Sequence, residues 1–192
     1  MKIILASQSP RRRELLGQVG LTFEIVSPEV DEAQYGGLPP RELVQTLSRA
    51  KALDAARRVP AGSLVLGADT VVVLDGQALG KPDGPEGARA MLTALSGRTH
   101  EVWTGFTLCR DGAVHTEAVA TEVTFRALAP EEIDRYVATG EPLDKAGAYG
   151  IQGRGALLVA QIRGDYSNVV GLPLCAVGQA LRRFGVDPLG GL

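Results

Sequence analysis

Residues 64–74 read Leu64-Val-Leu-Gly-Ala-Asp-Thr-Val-Val-Val-Leu74, and the central sheet of this 192-residue chain is predicted from that run. Apolar and β-branched residues fill this run except in the short segment Gly67-Ala-Asp-Thr70. This composition is typical of a strand buried on both faces. A buried carboxylate must be paired or bind a cation, so Asp69 is a candidate functional residue. An ion pair with an arginine, or a capped turn, is the structural alternative.

Strand and helix patterns alternate before this run. Strands are predicted over 1–6 and 22–26, and helices over 10–20 and 40–58. The first helix has Ser9 as its expected N-cap and Pro10 at its first position. After the run, the patterns predict a helix over 85–95, a hairpin of 102–110 and 114–126 turning at Asp111-Gly112, a helix over 130–137, a strand over 157–162 and a helix over 172–184. Together they predict an α/β fold with a mixed sheet flanked by helices.

Composition excludes several classes of protein. Lys and Arg number 20 and Asp and Glu 22, a net charge of -2, so we expect no nucleic-acid polymer and no membrane as partner. Two cysteines and two histidines cannot form the usual Cys/His zinc site, and we interpret both histidines as structural. The absence of a long apolar segment favours a cytoplasmic protein. No linker is visible, so we predict one domain over 1–186 and a C-terminal tail over 187–192.

The start of the first helix is strongly cationic. Arg11, Arg12 and Arg13 fall in its first turn, where the helix dipole disfavours positive charge. Together with Ser7, Ser9 and free backbone N–H groups, these guanidinium groups suit a multiply charged phosphate. A solvated basic helix end is the alternative.

Carboxylates and lysines supply further candidates. Asp31-Glu32 and Asp69 could form an all-oxygen site of the kind that favours Mg²⁺ or Mn²⁺, although Asp31-Glu32 alone is also an ordinary polar loop. Lysines are scarce, and internal ones indicate positions where a compact ammonium is needed, unless the scarcity is codon drift. The internal lysines are Lys51, Lys81 and Lys145. Lys145 opens a glycine-rich stretch that ends at Gly153, a weak pattern that also fits a plain loop.

Several motifs in a fixed order resemble those of the Maf family of nucleoside triphosphate pyrophosphatases, in particular its dTTP/UTP branch. The resemblance covers nearly the whole chain. Its motifs are Leu5-Ala-Ser-Gln-Ser-Pro-Arg-Arg-Arg-Glu-Leu-Leu16, Val30-Asp-Glu32, Arg49-Ala-Lys51, Gly67-Ala-Asp-Thr70, Gly80-Lys-Pro82, Leu95-Ser-Gly97, Pro142-Leu-Asp-Lys-Ala-Gly-Ala-Tyr-Gly-Ile-Gln-Gly153 and Val169-Val-Gly-Leu-Pro173.

The resemblance implies an elongated mixed sheet with two lobes around a cleft, similar to inosine triphosphate pyrophosphatases, and often a homodimer. It implies hydrolysis of a nucleoside triphosphate to the monophosphate and pyrophosphate, with a divalent metal. Asp69 is then the catalytic carboxylate, and Glu32 joins it at the metal. The resemblance implies that Arg11, Thr70 and Gln152 determine the choice of substrate. It also implies that five further residues belong to the substrate pocket, namely Ser7, Arg12, Lys51, Lys81 and Lys145.

Two rival functions remain open from the sequence. One is a nucleotide-binding regulator of cell division with little turnover, against which the intact Asp69 and lysines argue. The other is a pyrophosphatase of the 7-methyl-GTP branch, against which Ala148-Tyr-Gly-Ile-Gln152 argues, because it resembles the pyrimidine branch.

Overall fold

A computed structural model describes residues 2–190. The described part contains seven strands and six α-helices. In chain order these are β1 (Ile3–Ala6), α1 (Pro10–Gln18), β2 (Glu24–Ile25), α2 (Pro40–Ala56), β3 (Leu64–Leu74), β4 (Gln77–Leu79), α3 (Gly84–Leu95), β5 (Thr99–Arg110), β6 (Ala113–Phe125), α4 (Pro130–Val137), β7 (Val159–Arg163), α5 (Tyr166–Val170) and α6 (Leu174–Arg183). Short 3-10 helices cover Glu32–Tyr35, Glu141–Asp144, Ala146–Ala148 and Gly153–Leu158.

The strands form one mixed sheet, as predicted. Its order is β2-β1-β3-β5-β6-β7, and β4 pairs with β3. β1 runs parallel to both β2 and β3, whereas β4 runs antiparallel to β3 and β7 antiparallel to β6. Ala6 is registered opposite Gly67, so Ser7 leaves β1 one residue before the level at which β3 reaches Asp69. Ligands of open α/β sheets bind at the carboxyl ends of parallel strands. We therefore expect a binding site near Ser7 and Asp69.

Helix α2 lies against the sheet with backbone touching backbone. A Cβ atom at Gly67 of β3 would lie 2.5 Å from the carbonyl oxygen of Ser48 in α2. A Cβ atom at Gly105 of β5 would collide in the same way with the carbonyl of Val44. Only glycine permits this approach, and the approach brings the buried face of α2 onto β3.

The chain divides into two compact units. Among residues 2–190, the first unit takes 2–69, Thr104–Val119 and 171–190. The second takes Thr70–Trp103 and Ala120–Val170. Each has its own apolar interior, which includes Leu5, Leu16, Phe106 and Leu181 in the first and Leu92, Leu95 and Phe125 in the second. The boundaries of a single domain over 1–186 stay a prediction.

The structure corrects several local predictions. The strand predicted over 22–26 is two residues long, and the strand predicted over 157–162 begins at Val159 because Leu157 belongs to a 3-10 helix. β4 and α5 were not predicted, since each is too short to show a period. The side chain of Ser9 makes no capping hydrogen bond; its backbone N–H donates to Ser7 Oγ at 3.2 Å. The predicted tail lies partly outside the described residues, as does Met1 of the first predicted strand.

Among residues 2–190, no helix has the length and apolarity needed to cross a membrane.

We expect Gly67→Ala to lower the free energy of unfolding by roughly 1–3 kcal/mol or more, because the added methyl group meets the backbone of α2, which cannot move aside cheaply. Gly17→Ala is the matched control: its methyl group would meet no atom within 4 Å, and alanine favours the helix there. Urea unfolding of both variants measures the difference. Equal stabilities would contradict the close packing of α2 on β3.

Candidate active site

The ammonium group of Lys51 joins two carboxylates in the first unit. Lys51 Nζ donates to Asp69 Oδ1 at 2.6 Å and lies 2.7 Å from Glu32 Oε1. Lys51 comes from α2, Asp69 from β3 and Glu32 from the 3-10 helix Glu32–Tyr35, whose N-cap Asp31 accepts from the N–H of Ala33. Lys51 and Asp69 are each 9% exposed, whereas Glu32 is exposed. Asp69 is therefore paired, as its burial requires, with a lysine and not with an arginine.

Burial and neighbouring charges act in opposite directions on the pKa of Asp69. Burial raises the pKa of Asp69 above its usual value; Lys51 and Arg12 oppose the rise through their positive charges, and Glu32 adds to it. A buried carboxylate whose pKa is raised is better suited to accept a proton during a reaction than one at its usual pKa.

Hydrogen bonds hold the guanidinium group of Arg12 in place. Its Nε donates to the carbonyl oxygen of Gly171 at 2.8 Å and its Nη1 to Ser7 Oγ at 3.2 Å. Burial lowers the pKa of Arg12, Asp69 raises it, Arg11 lowers it and Glu32 raises it. The guanidinium group remains charged, and its charge acts on the carboxylates joined by Lys51. Ser7, Arg12, Glu32, Lys51 and Asp69 thus form one cluster, which we call the Lys51 cluster.

The remaining predicted residues of α1 and β3 are sequence neighbours of residues in the Lys51 cluster. Arg11 is half-buried at the start of α1, and Arg13 is exposed. Thr70 follows Asp69 in β3 and is half-buried, with its side chain on the opposite face of the strand. The structure therefore gives Thr70 and Asp69 different surroundings.

The second unit contains the remaining candidates. Lys145 Nζ donates to the carbonyl oxygen of Glu141 at 2.6 Å and to Asp144 Oδ1 at 2.7 Å. Lys81 is exposed between β4 and α3, and its neighbour Gly80 accepts a hydrogen bond from the N–H of Gly147 at 3.1 Å. The loops that carry Lys81 and Lys145 are therefore tied together through their backbones.

Gln152 is half-buried and stands immediately before the 3-10 helix Gly153–Leu158. The residues that hold its loop, Glu141 and Tyr136, were missed by the sequence analysis, as was the Gly171 carbonyl that holds Arg12. Gly171 lies inside the quoted motif 169–173, and Glu141 directly precedes the motif 142–153. A place inside or beside a motif was the only signal for Gly171 and Glu141, and the sequence carried no signal for Tyr136.

Two carboxylates of the Lys51 cluster, both paired with Lys51, are candidate ligands of a hard divalent cation. The described residues contain no group of three or more His, Cys, Asp and Glu side chains placed to hold a metal. Glu32 and Asp69 nevertheless supply two carboxylates in one cluster. Mg²⁺ is commonly bound by one or two carboxylates together with substrate phosphates and water, so this donor set is sufficient in kind.

Each histidine contacts a neighbouring polar side chain. His100 Nε2 is hydrogen-bonded to Tyr149 Oη at 2.8 Å, and its ring packs edge-on against Phe125. Burial lowers the pKa of His100 to about 4. His115 Nε2 lies 3.3 Å from Glu117 Oε2, a carboxylate partner that the sequence analysis did not find.

Comparisons with known proteins agree with the motifs. A family model described as Maf-like protein matches residues 2–184. The dTTP/UTP pyrophosphatase of Moorella thermoacetica is 57% identical over 197 residues, with 98% of each chain covered. That of Geotalea uraniireducens is 54% identical over 186 residues, with 95% of each chain covered. A solved structure titled nucleoside-triphosphatase / dITP/XTP pyrophosphatase, from Mycobacterium abscessus, is similar with a TM-score of 0.46 and 16% identity, covering 96% of this chain and 97% of that chain.

The buried His100 should make stability depend on pH. Between pH 6.5 and about 4 the unfolded chain protonates this imidazole while the folded chain does not, so the free energy of unfolding falls as the pH falls through that window. The loss attributable to His100 is up to roughly 3 kcal/mol. In urea unfolding at pH 7, 5.5 and 4.5, His100→Gln should lose less stability than the wild type.

The matched control is His115→Gln, which makes the same substitution at a half-buried site and leaves the hydrogen bond between His100 and Tyr149 intact. An identical pH dependence for the wild type and His100→Gln would show that His100 is not buried in neutral form.

Proposed function

The chain belongs to the Maf family, and from that membership we propose that it is a hydrolase that converts dTTP and UTP to the monophosphate and pyrophosphate. The observation that carries the proposal is the Lys51 cluster. It combines a buried carboxylate with cationic side chains beside the amino end of a helix, which is the set of groups that a triphosphate and its attacking water require.

The reaction forms a bond between a water oxygen and the α-phosphorus and breaks the bond from the α-phosphorus to the oxygen that bridges to the β-phosphate. Pyrophosphate leaves with that oxygen. The attacking water loses a proton, and Asp69 is the residue we assign to accept or direct it, since burial raises the pKa of its carboxyl group. Lys51 holds this carboxylate in place through its 2.6 Å hydrogen bond.

We assign Asp69 and Glu32 to a divalent cation, Mg²⁺ or Mn²⁺. When bound, such an ion neutralises phosphate charge and lowers the pKa of water. Either carboxylate could serve mainly as ligand and the other mainly as base. The exposure of Glu32 and the burial of Asp69 favour Asp69 as the base, because burial favours the protonated form of a carboxyl group.

Positive charge is needed where the triphosphate accumulates negative charge in the transition state. Arg12, which is held by Ser7 and Gly171, is the best oriented of the candidate cations. We assign the same task to Arg11, Lys81 and Lys145. Lys145 is half-buried with Asp144 as ion-pair partner, so it would exchange that carboxylate for a phosphate oxygen.

Base selection is assigned to Gln152, with Thr70 as a second contributor. A glutamine amide can accept from N3–H and donate to O4 of uracil or thymine, which matches that edge of the base with two hydrogen bonds. A flipped amide would match cytosine, so selection requires that the amide be fixed.

We further propose that the enzyme acts on free nucleotides in the cytoplasm, with no nucleic-acid polymer or membrane as partner, and that it forms a homodimer. The net charge of -2 and the two free thiols, buried Cys109 and exposed Cys175, support this placement. Light scattering measures the oligomeric state directly.

A nucleotide panel tests the function. Pyrophosphate release is measured from dTTP, UTP, CTP, ATP, GTP and 7-methyl-GTP with Mg²⁺ or Mn²⁺, and the highest kcat/KM is expected for dTTP and UTP. The fastest release from 7-methyl-GTP would assign the chain to the other branch. Tight nucleotide binding without release would favour a regulator.

Asp69→Asn should lower kcat for dTTP by at least about 100-fold, because the amide can neither accept the proton nor hold a cation as the carboxylate does. Asp83→Asn makes the same change at an exposed position whose side chain forms no capping hydrogen bond, and it should leave kcat unchanged. Steady-state rates at saturating metal, with circular dichroism to check folding, decide between them. A rate near that of the wild type would make Asp69 structural.

Gln152→Ala should narrow the preference for dTTP over CTP, which we expect to be roughly 10-fold or more in the wild type, since the wrong base leaves a buried polar group unpaired. The matched control is Gln161→Ala, at an exposed position in β7. The measured quantity is the ratio of the two values of kcat/KM. An unchanged ratio in Gln152→Ala would refute the role of Gln152 in base selection.

A further inference from the structure

Within the second unit, the carboxylate of Glu141 accepts three hydrogen bonds. Glu141 Oε1 accepts from Tyr136 Oη at 2.9 Å and from the N–H of Gly155 at 3.0 Å. Glu141 Oε2 accepts from the N–H of Arg154 at 3.1 Å. Each of the two carboxylate oxygens therefore holds one backbone N–H of the same loop, and the loop is bound at two adjacent residues.

These two N–H groups lie at the start of the 3-10 helix that follows Gln152. N–H groups in the first turn of a helix have no partner within it and need an outside acceptor, which Glu141 provides. The loop also fits closely around the carboxylate: Gly153 has a φ of +68°, and a Cβ atom there would lie 3.1 Å from Glu141 Oε2. Gln152 is therefore only two residues from a backbone N–H held by a carboxylate.

Tyr136 connects Glu141 to the other side of Gln152. Its hydroxyl group donates to Glu141 and accepts a hydrogen bond from the N–H of Gly150 at 3.3 Å. A Cβ atom at Gly155 would collide with the carbonyl of Gly150, so the two ends of the stretch 150–155 touch each other. Together, Glu141 and Tyr136 hold the backbone both before and after Gln152.

The main chain of Glu141 also contacts the lysine assigned to phosphate. Its carbonyl oxygen accepts from Lys145 Nζ at 2.6 Å, and the stem of Lys145 runs past Gly150, where a Cβ atom would lie 2.9 Å from Lys145 Cε. One residue thus contacts both a candidate phosphate ligand and the loop of the base-selecting residue.

Glu141 is suited to this task because it stays charged. Burial raises its pKa, but the N–H of Gly155, the hydroxyl of Tyr136, the N–H of Arg154 and the charge of Lys145 together outweigh burial and lower it below the usual value. Hydrogen bonds to an ionised acceptor are stronger than those between neutral groups, so the loop is held more firmly than a neutral side chain would hold it.

We propose that Glu141 is a positioning residue for base selection, because its carboxylate fixes the loop that presents the Gln152 amide, with Tyr136 completing the support. The inference rests on the proposed function, in which Gln152 reads the uracil edge. It accounts for one thing that this reading needs, a backbone that holds Gln152 in one position. Glu141 contacts neither the reacting atoms nor the base in this scheme and acts only through the loop.

The test is Glu141→Gln, which keeps the size of the side chain but replaces one acceptor oxygen by an NH₂ donor, so that one loop N–H loses its partner. The ratio of kcat/KM for dTTP to that for CTP should fall by at least about 5-fold. Tyr136→Phe removes the hydrogen bond to Glu141 and the one from the N–H of Gly150, but it leaves the N–H groups of Arg154 and Gly155 on the carboxylate, so it should lower the ratio less. Glu131→Gln, at an exposed position in α4, is the matched control and should leave the ratio unchanged.

The ratio is informative even if the variant is less stable, because the folded fraction multiplies both specificity constants equally and cancels. Hydrogen exchange gives a second readout: the N–H groups of Arg154 and Gly155 should exchange faster in Glu141→Gln, whereas those of β3 should not change. An unchanged dTTP to CTP ratio, or unchanged exchange at both N–H groups, would overturn the inference.

The two proposals fail in different ways. A wild-type enzyme that shows no preference for dTTP and UTP would overturn the proposed function and this inference with it. A wild-type preference that survives Glu141→Gln undiminished would overturn this inference alone.

Discussion

The contact of Lys51 with Asp69 is the interaction on which the candidate active site depends. Both groups are buried, and the removal of either would leave the other with less compensation for its charge. The contact requires α2 to lie on β3 at backbone distance, and that distance requires Gly67, because any larger residue would push the helix away. The close packing of α2 on β3 is therefore also a requirement for the contact between Lys51 and Asp69.

The two units stabilise the carboxylates of Asp69 and Glu141 by different means. Asp69 is compensated by an ammonium group, so its charge can be altered by whatever else binds nearby, which suits a group that takes part in a reaction. Glu141 is compensated mainly by backbone N–H groups and a hydroxyl group, which are fixed parts of the fold and suit a supporting role. The partners of each carboxylate therefore indicate whether it is suited to take part in a reaction or to support a loop.

Local features of the fold were predictable where a few neighbouring residues decide the conformation. The hairpin turn at Asp111-Gly112 has positive φ angles of 48° and 86°, as its dipeptide indicates, and α4 begins and ends at the predicted residues. The two-residue length of β2 was not predictable, because the length of an edge strand depends on how much of its neighbour it can reach. The 3-10 helices are too short to leave a periodic pattern.

The sequence by itself determined the α/β class, the mixed sheet, the family motifs and the residue types of the candidate site, because periodicity, turn chemistry and motif spacing are local properties. Only the tertiary structure decided which groups meet: Lys51 with Asp69 across 18 positions, Arg12 with the Gly171 carbonyl across 159, and Glu141 with the N–H of Gly155 across 14. Such contacts depend on how helices and loops pack against the sheet, and packing is a property of the whole folded chain that no local pattern contains.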